Sequence, residues 1–297
     1  MNPVYRPSTI KRTRRTRVEV EQLDRQIFEA LERDHPQSVR HVFYLMTDPR
    51  LPEPVEKSDK RGYRHVQSRI VKMRRDGRLP YDWIVDATRT GYFTPTYRNA
   101  SDFIRSVAGT YRDDIWAGSD TYCEVWVESR SIAGIIREDC REMAVSLYPA
   151  GGFSSISLAY EAAQTMNFYA AGKRAVVFYI GDFDPAGVLI DQSLERELRS
   201  HLDPGIDLEF VRLGITPGQV EQFNLPTKPR KEGDRRARHV EFTVEAEAMP
   251  AGVMRQLLRD HVEVLLPPRA LDVAKVAEES ERALMRNLAE WAEGGHE

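Results

Sequence analysis

Four short apolar runs, three of them followed by a helical pattern, constrain this chain more than any other feature. The runs lie at 122–127, 144–148, 174–181 and 208–214, and helical segments fall between them at about 130–141, 154–171 and 188–201. A strand covered by helices on both faces reads as a near-continuous apolar run. Strand and helix alternating at this spacing predict an α/β unit with a mostly parallel sheet. Two of the runs close on acids. Cys123-Glu124-Val125-Trp126-Val127 leads into Glu128, and the run from Arg174 to Gly181 leads into Asp182, Phe183 and Asp184.

Open α/β sheets place their ligands in the crevice beyond the strand ends. Carboxylates leaving adjacent strands therefore converge, and three of them repel one another unless a cation joins them. Mg²⁺ is the hard cation that carboxylate oxygens take. Asp182 and Asp184 are the expected metal ligands, and Glu128 either binds metal too or acts as general acid or base. Pro185 and Gly187 force a tight turn into the following helix. Ser129 is placed to cap the helix after Glu128. Tyr148-Pro149-Ala150-Gly151-Gly152 closes another run with a glycine turn that permits close backbone approach. Acids also sit well at helix N-termini, which accounts for one acid here but not for three at one sheet edge.

The net charge of −3 conceals an asymmetry. Residues 1–112 carry 23 Lys and Arg against 14 Asp and Glu, leaving 20 against 32 for the remainder. A basic half joined to an acidic half suits a nucleic-acid-binding unit beside a metal-binding one, although two solvated surfaces would look the same. Residues 1–20 are rich in Arg and poor in apolar residues. They read as a basic arm that tracks phosphates, or as a tail without function.

Helical spacing begins at about residue 22 with Leu23, Ile27 and Leu31. Pro36 stops that helix, and Ser38 caps the next, which holds Val39, Val42, Phe43 and Met46. A third helix, about 61–76, puts Val66, Ile70 and Met73 on one face. Its other face carries Arg61, Arg64, Arg69, Lys72, Arg74 and Arg75, the expected DNA contacts. Gly77 ends it, and Leu79 to Val85 reads as extended. Three short helices, one of them very basic, and an extended segment resemble a winged helix-turn-helix. The domain boundaries expected are 1–20 for the arm, 21–116 for the winged helix, 117–265 for the α/β unit and 266–297 for a C-terminal helix. Amphipathic helices are expected at 252–265 and 269–292, and a basic loop at 226–239 is either solvated or a phosphate contact.

Composition excludes some classes. No apolar stretch approaches the roughly 18 residues that span a bilayer, and the basic N-terminus lacks the apolar segment of a secretory signal. Cys123 and Cys140 form no C-x-x-C pair, so a zinc site or disulfide framework is not expected and a reducing cytoplasm is.

The acid pattern resembles the Toprim domain shared by type IA, II and VI topoisomerases, primases and OLD-family nucleases. Its signature, a Glu after the first strand and D-x-D after a later one, is matched by Glu128, Asp182 and Asp184 over about residues 120–215. Ahead of it, Arg40-His41-Val42-Phe43-Tyr44 resembles the Arg-x-x-Tyr/Phe-Tyr helix of the topoisomerase VI A subunit and the meiotic double-strand-break transesterase. Asp182-Phe183-Asp184-Pro185-Ala186-Gly187 is similar to that family's D-x-D-P-x-G. Stretches such as Gly214 to Val220 and Asn224-Leu225-Pro226 look like compact stand-alone members associated with mobile elements. The chain is shorter than a full A subunit, and Phe43 stands where the first tyrosine usually does.

The resemblance implies an N-terminal winged helix-turn-helix domain followed by a Toprim domain, with Tyr44 as nucleophile. It implies double-stranded DNA as substrate and a nucleoid-associated homodimer in which one protomer's tyrosine meets the partner's metal site. There is no G-x-x-x-x-G-K-[ST] motif, so strand passage would need a separate ATPase B-type subunit. From the residues themselves, Arg40 and His41 lie four and three positions before Tyr44 and can share its helix face, where positive charge favours the phenolate. Tyr63, Tyr81 and Tyr92 are weaker candidates. Two alternatives stand beside this reading: a Toprim nuclease in which water replaces Tyr44, and a winged-helix regulator that only binds DNA.

Overall fold

The computed structural model describes residues 15–85, 94–151, 156–230, 236–237 and 239–294. Most of the basic arm, Tyr92, Gly152, Lys231, Arg235 and Arg238 lie outside the described residues. The chain divides into two compact units, one up to Ile84 and one from Val85.

The first unit is built on three helices. In α1 (Arg17–Arg33), Thr16 and Glu19 form a reciprocal capping box, which starts the helix five residues before the apolar spacing becomes visible. Leu23, Ile27 and Leu31 are fully buried along it. In α2 (Val39–Met46), Ser38 caps by accepting from the His41 N–H. A single π-helical turn, Asp59–Tyr63, leads into α3 (Arg64–Arg75), which buries Val66, Ile70 and Met73. Gly77, at φ 70°, reverses the chain. The segment after it is not extended throughout. It makes a 3₁₀ turn at Tyr81–Trp83 and one parallel bridge, Ile84 to Gln37.

The second unit is α/β, with a four-stranded parallel sheet of order β2-β1-β3-β4. The strands are β1 (Thr121–Val127), β2 (Ser146–Pro149), β3 (Arg174–Ile180) and β4 (Asp207–Gly214). Helices α5 (Arg130–Glu142), α6 (Ile156–Tyr169) and α7 (Gly187–His201) connect them, as a parallel sheet requires. Side-chain alternation sorts the two faces. Trp126, Val177 and Tyr179 share a core with Ala159, Ala162, Ala163 and Met166 of α6 and with Ile190, Leu194 and Leu198 of α7. Phe178 points the other way, where its ring meets His261 of α9 (Ala251–Glu263).

Three further elements lie outside the strands and helices expected from the sequence. They are α4 (Ala100–Ala108), α8 (Pro217–Gln222) and a hairpin of β5 (Lys228–Pro229) with β6 (Phe242–Thr243). Residues 94–116, expected with the first domain, belong to the second unit. There α4 packs on α10 (Ala270–Gly294), with the Ser101 hydroxyl donating to the Ala289 carbonyl at 2.6 Å and Arg105 pairing with Glu293. Glu278 of α10, buried, pairs with Arg112 and Arg282. The opposite stripe of α10 leaves Val276 and Trp291 exposed. Among the described residues, no helix is long and apolar enough to cross a membrane.

Candidate active site

The strand order places a topological switch point between β1 and β3. From β1 the chain crosses to β2 on one side, while β3 and β4 follow on the other. Ligands of open α/β sheets bind at such a point, beyond the strand carboxyl ends. Val127 is in register with Ile180, so Glu128 and Gly181-Asp182 leave the sheet side by side.

Each of the three expected acids is held by one carboxylate oxygen. Glu128 Oε2 accepts from the Asp182 N–H at 2.8 Å. Asp182 Oδ1 accepts from the Ala246 N–H at 2.8 Å. Asp184 Oδ1 accepts from the N–H groups of Ala186 and Gly187 at 2.8 and 2.6 Å, which also caps α7. The second oxygen of each, Glu128 Oε1 and the Oδ2 atoms of Asp182 and Asp184, accepts no hydrogen bond among the described residues. Two glycines make the packing possible. A Cβ on Gly187 would stand 2.2 Å from the Asp182 carbonyl oxygen, and one on Gly181 would stand 2.8 Å from Glu128 Oε2.

The Glu128 and Asp182 carboxyls resist ionisation. Burial pushes Asp182 up to about 8, the charge of Glu128 adds to the shift, and the Ala246 N–H opposes it. Burial also raises Glu128, helped by the charges of Asp184 and Glu247. Arg212 of β4 answers this field from behind the loop. Its guanidinium donates to the carbonyls of Gly181, Asp182 and Ile215 and pairs with Asp191 at 2.5 Å. The donor set, three carboxylates each with an uncommitted oxygen, fits a hard divalent cation. Among the described residues, no three acidic, histidine or cysteine side chains stand close enough together to hold one.

Two acids at this edge escaped the sequence reading. Glu245 and Glu247 follow β6, and their charges act on Asp182. Glu245 pairs with Lys228 at 2.7 Å. Glu247 accepts from the hydroxyls of Ser129 and Ser131. Their only sequence signal is a Glu-x-Glu after a two-residue strand, and nothing in the order of residues shows that this segment returns to the Asp182 loop.

In the first unit, Tyr44 is 7% exposed and Phe43 is 1% exposed. The Arg40 guanidinium stands 5.6 Å from the ring centres of Phe43 and Tyr44 and 5.0 Å from that of Tyr63. Arg40 therefore shares the Tyr44 face, as its spacing predicts. His41 is buried, with Nδ1 2.9 Å from the Ser38 hydroxyl.

The six cations assigned to DNA separate into two sets. Arg69 forks onto Asp24 at 2.7 and 2.6 Å. Arg74 donates to the Tyr81 carbonyl and lies 4.3 Å from the centre of that ring. Arg61 is 3.8 Å from Glu56. Arg64, Lys72 and Arg75 have no ion-pair partner among the described residues and line, with Gln67, Ser68 and Val71, an open groove of about 490 Å³. In the basic loop, Lys228 is engaged by Glu245, and Arg230 donates to the carbonyls of Ala237, Val240 and Arg236. Comparison with protein-family models, curated proteins and solved structures found no match.

Proposed function

We propose that this chain breaks double-stranded DNA by metal-dependent tyrosine transesterification, as a compact homodimeric protein of the topoisomerase VI A-subunit type. On this reading the first unit is the winged-helix domain and the second the Toprim domain. The observation that carries the proposal is the trio Glu128, Asp182 and Asp184 at the switch point, each fixed through one oxygen with the other uncommitted among the described residues. Mg²⁺ bound there would offset charge on the phosphate and on the departing oxygen.

The residues supply the remaining steps. The Tyr44 oxygen attacks phosphorus after its proton is lost to water, with the Arg40 cation beside the ring favouring the phenolate. The bond from phosphorus to the 3′ oxygen breaks, which leaves a 5′-phosphotyrosine. The 3′ oxygen takes its proton from water, and Glu128 would stand with Asp182 and Asp184 as a ligand of the metal. Supercoiled plasmid treated with protein and Mg²⁺, then stopped with detergent, tests this. Breaks that carry covalently bound protein and vanish in Tyr44→Phe are expected.

One observation favours a second reading. Tyr44 is nearly covered, and a Toprim hydrolase needs no tyrosine, because water attacks instead. Protein-free ends, with cleavage undiminished in Tyr44→Phe and lost in Asp182→Ala, would establish that hydrolase. Full cleavage retained in Asp182→Ala would remove the metal mechanism from both.

A further inference from the structure

Glu247 stands at the acidic edge in the same manner as the three assigned acids, and it rests on the metal reading above. Its segment is stitched to the Asp182 loop. Phe183 and Val244 exchange backbone hydrogen bonds at 2.9 and 2.8 Å, and the Ala246 N–H donates to Asp182 Oδ1 at 2.8 Å. Glu247 Oε1 accepts from the Ser131 hydroxyl at 2.7 Å and the Ser129 hydroxyl at 3.1 Å. Glu247 Oε2 accepts nothing among the described residues. One oxygen is thus anchored and the other left without a hydrogen bond, as in metal-binding carboxylates that surrounding groups hold in place.

A second observation points to a ligand beside Glu128. Tyr179 is fully buried, and its hydroxyl has no hydrogen-bond partner among the described residues. That hydroxyl and Glu128 Oε2 lie within 2.7 and 2.8 Å of the same point, the position a Gly181 Cβ would take. Buried hydroxyls are almost always satisfied, and one left over beside a carboxylate marks a group still to arrive, such as water carried by a cation.

We infer that Glu247 is a fourth carboxylate ligand of a divalent-cation centre formed with Glu128, Asp182 and Asp184. The hard oxygen donors select Mg²⁺ or Mn²⁺. Ser129 and Ser131 are positioning residues that hold the Glu247 carboxylate toward the loop.

The test is Mn²⁺ binding to the full chain, followed by calorimetry and by the electron paramagnetic resonance signal of free Mn²⁺. It compares the unmodified protein with Glu247→Gln, Glu247→Asp and Asp184→Asn, each with its metal-free melting temperature measured alongside. Glu247→Gln and Glu247→Asp are each expected to weaken Mn²⁺ about tenfold or more. Affinity retained in Glu247→Asp but lost in Glu247→Gln would mean that only the charge matters, and ligation by Glu247 would be overturned. Unmodified affinity in both, with loss in Asp184→Asn, would overturn the role of Glu247 and leave the three-acid centre standing. Absence of Mn²⁺ binding by the unmodified protein would overturn the centre itself.

Discussion

Glu124 is the residue whose environment departs furthest from what its type prefers. It is fully buried in β1, and the Tyr122 hydroxyl and Trp126 indole N–H donate to its two oxygens at 2.7 Å each. These donors come from positions i−2 and i+2, which share its face of the strand. Burial still dominates and lifts the carboxyl from 4.5 to about 7. The folded state then holds a proton that the unfolded chain has released. The resulting stability is complete below about 4.5 and is lost as pH rises through about 7. Glu124→Gln carries no such dependence. The melting temperature of the unmodified protein should therefore fall relative to Glu124→Gln between pH 5 and pH 7, and the gap should level off above pH 8. A gap that ignores pH would show that Glu124 does not titrate in that window. The acid itself was plain in the run Cys123 to Val127, but the donors that satisfy it were not, because the order of residues does not show which way the Tyr122 and Trp126 side chains turn.

Helix α3 shows how one basic face divides between stability and binding. Arg69 satisfies Asp24 of α1, which is buried, and Arg78 supports the same carboxylate. Arg69→Ala leaves part of that carboxylate unpaired, and a loss of about 2 kcal/mol is expected in urea denaturation. Arg64, Lys72 and Arg75 line the open groove instead. Replacing all three by Ala should leave the denaturation midpoint nearly unchanged. If they contact phosphates, the slope of log affinity against log salt should flatten by about 2–3. An unchanged slope would remove this face from the DNA interface. The helix and its charge were legible from its period of apolar residues. The division was not, because the partner of Arg69 lies 45 residues away in the chain.

For the molecule as a unit, the resemblance implies a dimer whose two halves share their active centres. Symmetric dimers are the commonest assemblies, and sharing makes a quantitative demand. Tyr44→Phe and Asp184→Ala should each be inactive alone. Mixed and allowed to exchange subunits, they should recover about a quarter of the unmodified cleavage, since half the dimers are mixed and each holds one intact centre. No recovery, with subunit exchange verified, would place tyrosine and acids of one chain at one centre. The contact boundary after Ile84 also bears on any truncation. A fragment cut at residue 117 would strip α10 of α4, which shares its hydrogen bonds and ion pairs, so a cut near Val85 is the sounder choice.

Local information determined much of this chain. The apolar runs, their helical spacers and the capping residues Ser38 and Ser129 dictated where strands and helices form, because burial and backbone satisfaction act over a few neighbouring residues. The acids that end β1 and β3 followed from the same reading, since strand ends in a parallel sheet are local facts. Strand order, by contrast, belongs to the tertiary structure. Only the arrangement β2-β1-β3-β4 puts Glu128 beside Asp182 at a switch point. Only the bridge from Phe183 to Val244 brings Glu247 to the same edge. Those approaches depend on contacts between segments more than 50 residues apart, which no local pattern encodes.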